Sequence, residues 1–465
     1  MTTPAFVVSA IRSGAGKTTV TLGLISALAR RGKKVAAFKI GPDFLDPSHY
    51  KNAGAALVGN LDPILQGEDG MRRMFSNSRG CHAIVVEGVM GLLDGPVPGK
   101  ITASTADVAR RLGLPVLLVC DARSCAQSLA AEVVGVRTLL PDTPLVGVLL
   151  NFVGSNRHAE LLVRGLADLA DVSVTGCLYR NGLPAMPARH LGLVPSAEFD
   201  AAKAGVIRRY EAALRKACSI QKLCDRAAAL RQNGWGRRPP GSLKRAASGV
   251  EKNYPVIVAV ARDPAFSFYY PETIDFLKTR ADGVVEFSPL KDRRAPDADL
   301  YYFGGGFPEI FAGRLSANRS MRDDLIRRFR SGARAYAECG GLMYLSAAVV
   351  TSEGKSHPMV GILPGRCTMR DRRQALGYWR ARVRQPTLFL KKNMMMIGHE
   401  YHWSSFEAGR RLHPVFTAQK IGSAERQSGG WHAANVFASY LHLSALGNPE
   451  FFNRLLAWAA HCGAV

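Results

Sequence analysis

The sequence predicts a two-domain α/β protein whose first domain is a doubly wound parallel sheet. A chain of 465 residues is too long for a single hydrophobic core. Short apolar runs without polar alternation are interleaved with helical stretches, which is typical of parallel strands buried on both faces. We predict domains over residues 1–199 and 254–465. Residues 200–253 are predicted to form a helical segment and an exposed basic linker rich in Gly, Pro and Ser.

Each domain is predicted from a set of β-branched, strand-like runs. The first set is Phe6–Ile11, Val35–Ile40, Ala83–Glu87, Pro115–Cys120 and Leu145–Asn151, with helical stretches such as Lys17–Arg31 between the runs. The second set is Val256–Ala261, Val284–Phe287, Leu300–Phe303 and Arg334–Glu338. Runs this short and this apolar favour strands over buried helices.

The composition is that of a soluble globular protein, with 47% hydrophobic and 21% charged residues. No apolar run reaches the length of about 18 residues that a membrane helix needs, and the N-terminus lacks the features of a signal peptide. The nine scattered cysteines form no C-x-x-C pair, which argues against a zinc site and indicates reduced thiols. We therefore expect a cytoplasmic protein.

The net charge of +24 is the one unusual bulk property. A nucleic-acid partner, a solvated basic surface and a polyanionic small substrate all agree with such a charge. Charge alone does not choose among these alternatives, so the motifs have to decide.

A phosphate-binding loop is predicted where residues 13–19 read Ser-Gly-Ala-Gly-Lys-Thr-Thr, between a strand and a helix. The glycines allow backbone N–H groups to surround phosphate oxygens, and the helix that follows points its positive end at them. Ile11 stands where the usual first glycine falls, so a glycine-rich turn without nucleotide is the alternative. The loop residues assigned to ATP are Ser13, Gly14, Gly16, Lys17 and Thr18.

Acidic residues at or just beyond the ends of predicted strands are expected to serve the metal and the phosphates. Asp46 and Glu87 are predicted to bind Mg²⁺ together with the Thr18 hydroxyl, and Asp43 lies in the same group. Lys39 is expected to add a second cation for ATP. Taken singly, each acidic residue could equally be a helix cap or a turn residue.

A nucleophilic thiol is predicted at Cys339, because it follows a strand, opens a helix and precedes two glycines. We expect the helix N-terminus to lower the pKa of the thiol. His442 is the predicted base, and N–H groups of Gly305, Gly306 and Gly340 are predicted to bind an oxyanion. The alternatives are a buried structural cysteine, a structural histidine and a flexible glycine turn.

The half that contains this thiol resembles class I glutamine amidotransferase domains, which hydrolyse glutamine at a cysteine and release ammonia. Many of them carry His-x-Glu, with the glutamate orienting the histidine. This chain has Ser444 at that position, so the group that orients His442 is left open. The half with the phosphate loop resembles ATP-using folds of the dethiobiotin synthetase type, which activate carboxylates by phosphorylation.

The two halves in this order resemble the cobyrinic acid a,c-diamide synthase family. The segments that carry the resemblance are Gly41–Pro47, Glu87–Gly95, His190–Pro195, Ala261–Glu272, Gly304–Glu309, Ala337–Leu345 and Gly398–His402. The resemblance implies amidation of the a and c carboxylates of cobyrinic acid, or of metal-free hydrogenobyrinic acid, with ATP, Mg²⁺ and glutamine. It further implies that Asn151 and Pro195 lie near the adenine, and that Asp43, Leu45 and Asp94 serve the substrate or phosphoryl transfer.

A corrinoid polycarboxylate and ATP are both anionic, so they account for part of the +24 charge without nucleic acid. No nucleic-acid or membrane partner is therefore expected, and a homodimer is one alternative for the assembly. Two rival functions stay open at this point. One is amidation of another tetrapyrrole, such as a nickel sirohydrochlorin. The other is a switch ATPase of the partition or septum-placing type, with an inert C-terminal binding module.

Overall fold

The structure is a computed structural model that describes residues 2–180, 183–184, 188–189, 192–193, 201–232 and 253–461. Its contacts divide the chain into two compact units. The first comprises Met1–Pro63 and Glu68–Lys244, and the second comprises Ile64–Gly67 and Arg245–Val465. A short stretch of the N-terminal half thus belongs to the second unit.

The first unit is built on a seven-stranded parallel sheet with helices between its strands. The strands are β1 (Ala5–Ser9), β2 (Val35–Ile40), β3 (Leu57–Leu61), β4 (Ala83–Glu87), β5 (Val116–Asp121), β6 (Leu145–Val153) and β7 (Val174–Tyr179), followed by a separate two-stranded ribbon of β8 (Ala188–Arg189) and β9 (Gly192–Leu193). The helices are α1 (Lys17–Ala29), α2 (Leu45–Asn52), α3 (Gly67–Ser76), α4 (Thr105–Leu112), α5 (Leu129–Leu139), α6 (Asn156–Ala170), α7 (Ala201–Ala217) and α8 (Ile220–Gln232).

The strand order β3-β2-β4-β1-β5-β6-β7 places β1 at the centre, with β4 and β5 as its neighbours. Every residue of β1, β2, β4 and β5 is buried, because helices cover both faces of the sheet. The chain order reverses direction at β1, so the loops after β1 and β4 meet at the carboxyl edge of the sheet. Open α/β sheets bind ligands at such a switch point.

The second unit combines one mixed sheet with two smaller sheets. Its strands are β10 (Tyr254–Ala261), β11 (Ala281–Phe287), β12 (Leu300–Phe303), β13 (Arg334–Glu338), β14 (Ser346–Val350), β15 (Ser356–Pro358), β16 (Leu363–Met369), β17 (Ala375–Val383), β18 (Met395–His402), β19 (Ser404–Ala408), β20 (Phe416–Lys420), β21 (Arg426–Gly429), β22 (Trp431–Ala433), β23 (Val436–Ser439) and β24 (His442–Leu443). Its helices are α9 (Pro271–Arg280), α10 (Ala312–Ala317), α11 (Arg319–Arg330), α12 (Gly340–Leu345) and α13 (Pro449–Ala460).

The main sheet of the second unit has the order β11-β10-β12-β13-β23-β22, and only β22 runs antiparallel. Neighbouring residues of its central strands contribute to two separate apolar cores. Tyr302 and Tyr336 belong to one core, whereas Tyr301, Ala337 and Cys339 belong to the other. This alternation follows from the two-residue period of a strand. As a result, the Tyr336 side chain and the predicted nucleophile, Cys339, belong to apolar cores on opposite faces of the sheet.

The prediction of the α/β class, with a doubly wound first domain, is confirmed. The structure moves several boundaries: β1 ends at Ser9, α1 ends at Ala29 and β6 continues to Val153. The strand predictions did not include β3, β7, β8, β9 or any strand from β14 to β24. Helices α7 and α8, which fall in the predicted connecting stretch, are part of the first unit. Most of the predicted linker, residues 233–252, lies outside the described residues.

Nothing among the helices of the described residues is both long enough and apolar enough to cross a membrane. The eight cysteines of the described residues are free thiols.

Candidate functional site

The phosphate loop lies between β1 and α1, as the strand–loop–helix pattern predicts. Gly14 and Gly16 have φ angles of 78° and 95°, in the left-handed region that favours glycine. The Lys17 ammonium donates to the carbonyl oxygens of Arg12 at 3.1 Å and Met90 at 2.5 Å. Burial, followed by the charge of Lys39, lowers the pKa of Lys17 to about 8. The Lys17 ammonium in this loop is therefore mostly protonated at neutral pH and loses its proton as the pH rises through about 8.

Asn151, at the end of β6, packs directly against this loop. Its side-chain amide donates to the carbonyl of Ala15 at 2.9 Å, and a Cβ added to Gly16 would overlap the same amide nitrogen. The Asn151 oxygen accepts from the backbone N–H of Phe152. The buried Asn151 thus fixes the shape of the loop through its contact with Ala15.

A cluster of charges surrounds Lys39, which lies on β2 and is buried. Its ammonium donates to Asp46 Oδ2 at 2.6 Å and to Glu87 Oε1 at 2.8 Å. The same Glu87 oxygen accepts from the Thr18 hydroxyl at 2.6 Å, and the other accepts from Tyr50 at 2.8 Å. The structure therefore brings together Lys39, Asp46, Glu87 and Thr18, which were predicted separately from three parts of the chain.

Burial and the charges of neighbouring side chains together shift the pKa values in this cluster. It raises the pKa of Glu87, although the nearby Lys39 acts in the opposite direction. The pKa of Asp46 is lowered, because the charge and hydrogen bond of Lys39 outweigh burial. Asp43 has its pKa raised by burial and by the charge of Asp46. The pKa values of Asp43 and Asp46, which are close together, are thus shifted in opposite directions.

The oxygen atoms expected to bind Mg²⁺ fit that ion by their chemistry. Thr18, Asp46 and Glu87 supply hard hydroxyl and carboxylate oxygens, and Lys39 links the two carboxylates. Mg²⁺ usually binds one or two carboxylates together with phosphates and water. No group of three or more His, Cys, Asp or Glu suited to a metal occurs in the described part of the chain, so a hydroxyl and phosphate oxygens would have to complete the set.

Of the residues expected to serve the substrate or phosphoryl transfer, Asp43 lies in the loop after β2, Leu45 begins α2 and Asp94 lies in the loop after β4. Asp43 Oδ1 accepts from the N–H of Leu45 at 2.7 Å, which shapes the entry to α2. Asp94 accepts from the N–H of Gly91 at 2.8 Å, in the loop after β4. Asn60 ties the first loop by donating to the carbonyl of Asp43. These contacts hold the loops in shape.

Cys339 sits in a strained turn directly after β13. Its φ of 46° and ψ of −97° are rare for a residue with a side chain. Its backbone N–H donates to the carbonyl of Ser439 at 2.8 Å, and α12 begins at Gly340. Strain of this kind is found at functional sites, and this turn has the strand-to-helix form of a nucleophile elbow.

The expectation that the helix end lowers the pKa of the Cys339 thiol is wrong. Burial raises the pKa well above its ordinary value, and the charges of Glu309 and Glu400 act in the same direction. The Gly340 N–H opposes this shift but does not outweigh it. Helix α12 has only six residues, so its dipole is small. The resting thiol is therefore neutral, and a base is needed to make it nucleophilic.

His442 begins β24, which pairs with β18 so that His442 faces His399. The imidazole is 2% exposed, and its Nδ1 lies 3.6 Å from Glu338 Oε2. The Cε1 edge of the ring packs so closely on Gly305 that a Cβ there would overlap it. Ser444 does not orient this ring, since its hydroxyl donates to Glu272 at 2.9 Å.

The predicted oxyanion glycines surround the same place. A Cβ on Gly340 would lie 3.0 Å from the nitrogen of Gly306, so these two backbone segments are in close contact. The N–H of Gly304 donates to the Tyr269 hydroxyl at 2.8 Å, which anchors the turn. The glycine turn thus contacts His442 through Gly305 and lies against Gly340, the residue that follows Cys339, through Gly306.

Sequence reasoning missed three residues of these sites. Tyr50 and Asn60 carry no motif, because their roles depend on the folding of β3 and α2 against the phosphate loop. Glu338 could have been found, since it is an acidic residue directly before the predicted nucleophile. Pro195, expected near the adenine, lies outside the described residues.

Family models match both halves of the chain. Residues 6–194 match the CobQ/CobB/MinD/ParA nucleotide binding domain, and residues 257–450 match the CobB/CobQ-like glutamine amidotransferase domain. Fold and site together define an amidating ligase with a nucleotide-binding P-loop domain followed by a glutamine amidotransferase domain.

Similar proteins align along nearly the whole chain. A protein of Streptococcus sanguinis named cobyrinate a,c-diamide synthase is 38% identical over 447 residues, which cover 94% of this chain and 95% of that protein. A protein of the same name from Salmonella typhimurium is 36% identical over 461 residues, covering 98% of both. The chain belongs to the cobyrinate a,c-diamide synthase family. This assignment sets aside the switch ATPase with an inert C-terminal module.

Proposed function

We propose that this ligase amidates the a and c carboxylates of cobyrinate, or of hydrogenobyrinic acid, using ATP and glutamine through acyl phosphates. The observation that carries the proposal is the alignment of cobyrinate a,c-diamide synthases over 94% to 98% of this chain. The two family-model matches, over residues 6–194 and 257–450, span both the phosphate loop and the strained cysteine. A relative that shared only one of them would support only half of the reaction.

The second unit supplies the nitrogen in this proposal. The Cys339 thiol loses its proton to His442 and attacks the amide carbon of glutamine. The proton then passes to the departing ammonia, and water hydrolyses the thioester to release glutamate. N–H groups of Gly305, Gly306 and Gly340 would stabilise the oxyanion. The raised pKa of Cys339 supports a role for His442, because a buried thiol does not ionise unaided.

The first unit activates the carboxylate. A carboxylate oxygen attacks the γ-phosphorus of ATP, ADP leaves, and ammonia then displaces phosphate from the acyl phosphate. Lys17, with the other loop residues, would bind the phosphates, and Asn151 and Pro195 would lie near the adenine. Thr18, Asp46 and Glu87 would hold Mg²⁺, which offsets phosphate charge when bound. Asp43, Leu45 and Asp94 are proposed to serve the acceptor and phosphoryl transfer.

Electrostatics favours this class of substrate. The chain has 61 Lys and Arg residues against 37 Asp and Glu residues, which gives the net charge of +24. A ring with many carboxylates and a nucleotide triphosphate would both be attracted by such a field. The attraction would weaken with added salt, because exposed charges are screened over about 8–10 Å at physiological ionic strength.

Mass spectrometry of the products tests the proposal directly. The purified protein would be incubated with ATP, Mg²⁺ and glutamine, and separately with cobyrinic acid, hydrogenobyrinic acid or nickel sirohydrochlorin. We expect two successive replacements of a carboxyl hydroxyl by an amino group on one of the first two acids. Amidation of nickel sirohydrochlorin alone would transfer the function to another tetrapyrrole. Failure to amidate all three, while glutamine is hydrolysed, would reject the assigned acceptors.

A further inference from the structure

The carboxylate of Glu338 lies directly before the strained thiol and accepts several hydrogen bonds. It ends β13, is 1% exposed and directly precedes Cys339. Three groups donate to it: the Tyr336 hydroxyl at 2.7 Å, the Tyr302 hydroxyl at 3.1 Å and the Leu443 N–H at 3.1 Å. The oxygens of Glu338 act as the acceptors in all three contacts, which fix the direction of its side chain.

The direction in which Glu338 points follows from its place on the strand. Its tyrosine donors belong to one apolar core of the unit, whereas Cys339 belongs to the other. The carboxylate therefore approaches His442 from the side of the sheet opposite to the thiol core. The Glu338 Oε2 atom lies 3.6 Å from Nδ1 of His442. This leaves the other nitrogen of the ring, Nε2, on the side that packs against Gly305.

We propose that Glu338 is the positioning residue that orients His442 and stabilises its protonated form, in place of a glutamate at position 444. The inference rests on the proposed glutamine-dependent function. Ser444, at the usual glutamate position, has its hydroxyl bonded to Glu272. A carboxylate facing Nδ1 fixes the ring so that Nε2 can accept the proton of a nucleophile, and it lowers the free energy of the imidazolium that forms.

Three titratable side chains that bond to Glu338 or pair with His442 are uncharged. Burial and the Glu338 charge raise the pKa values of Tyr302 and Tyr336 well above their usual range, so both hydroxyls keep their protons. Burial, and then the charges of His442 and His402, lower the pKa of His399 to about 3. These three side chains are therefore neutral near neutral pH. The distance of 3.6 Å is longer than a hydrogen bond, and such contacts commonly shorten once substrate is bound.

The test compares Glu338→Gln with Glu338→Asp and with Ser444→Ala as the matched control. Ammonia release from glutamine, ammonia-dependent synthesis and the pH profile of Cys339 alkylation by iodoacetamide would be measured for each. For Glu338→Gln we expect kcat for glutamine hydrolysis to fall by about 10²-fold or more, with a small change in KM, by analogy with losing the carboxylate of a catalytic triad. Alkylation should shift to higher pH, because the base is no longer assisted.

The controls separate positioning from a structural role. Glu338→Asp should recover part of the lost kcat, Ser444→Ala should resemble the parent protein, and ammonia-dependent synthesis should be unchanged in all three. Should Glu338→Gln fail to fold, Tyr336→Phe removes one donor and should shift the alkylation profile in the same direction. Full hydrolysis by Glu338→Gln, or an unshifted alkylation profile, would overturn the inference. Absence of ammonia release by the parent protein would instead reject the proposed function.

Discussion

The hydroxyl of Ser444 donates to the carboxylate of Glu272 at 2.9 Å, so the side chain two residues after His442 is bonded away from the imidazole. Glu272 also accepts from the Gln66 side chain at 2.8 Å. Position 444 is therefore part of the packing around α9. The Ser444 hydroxyl bonds to Glu272, whereas the His442 ring nitrogen Nδ1 lies 3.6 Å from Glu338, so the two side chains face different carboxylates.

Substitution of His442 should consequently be far more damaging than substitution of Ser444. We expect His442→Ala to reduce glutamine-dependent turnover by about 10²–10⁴-fold, the usual contribution of a general base. Ser444→Ala should cost less than about tenfold, since a neutral hydrogen bond contributes about 0.5–1.5 kcal/mol. Steady-state constants with glutamine and with ammonium as nitrogen donors provide the check. Equal damage by both variants would make the serine a member of the catalytic set.

Removal of the Cys339 thiol should separate the two half-reactions. Cys339→Ala and Cys339→Ser should abolish glutamine-dependent synthesis, because no other group can form the thioester, while high ammonium should restore product. Cys177→Ser provides a matched control, since Cys177 is a half-buried thiol of β7 in the first unit. Loss of activity with both nitrogen donors in the Cys339 variants would contradict the assignment.

Lys17→Ala should remove synthesis with either nitrogen donor, by about 10³-fold, as when other charge-stabilising donors are lost. Glutamine hydrolysis should partly survive. The pKa of Lys17, near 8, adds a pH dependence: the ammonium loses its proton as pH rises through that value. kcat/KM for ATP should then fall above about pH 8, since this ratio reports the free enzyme. Lys33→Ala, in an exposed turn, controls for the loss of a charge.

Gly16→Ala should inactivate synthesis for steric reasons. The φ of 95° is unfavourable for alanine, and the new methyl group would overlap the Asn151 amide. Gly135→Ala is the matched control, because Gly135 lies within α5 and an added Cβ meets nothing within 4 Å. The control should keep activity and gain about 0.5–1 kcal/mol of stability from helix propensity. Thermal unfolding and ATP-dependent product formation would be compared for both variants.

Much of the secondary structure of the first unit can be predicted from local sequence. Its central strands are buried on both faces, so their sequences are uninterrupted apolar runs. The strand predictions missed β3 because Gly59 and Asn60 interrupt its apolar pattern. The Asn60 side chain donates a hydrogen bond to the carbonyl of Gly41, in the loop after β2. The antiparallel strands of the second unit are harder to predict. β17, for example, alternates buried and exposed residues and includes two arginines, so its burial depends on partners far along the chain.

The candidate sites divide in the same way. Gly16, Lys17 and Cys339 are predictable because backbone geometry at a strand end demands a short local motif. The direction of the Cys339 pKa shift was not predictable, since it depends on burial and on Glu309 and Glu400, which reach the thiol only in the folded chain. Glu338 stands beside the motif, yet its proposed role depends on His442, which is more than 100 positions away.

The membership of Ile64–Gly67 in the second unit has a practical consequence for protein engineering. Leu65 packs so tightly against Gly447 that a methyl group could not be added there, and Gln66 bonds to the buried Glu272. A fragment expressed from residue 254 onward would lack these four residues and would leave that surface uncovered. The amidotransferase half therefore cannot be excised with a single cut. Its isolation would require the tetrapeptide to be supplied in trans, or a redesigned surface around Gly447.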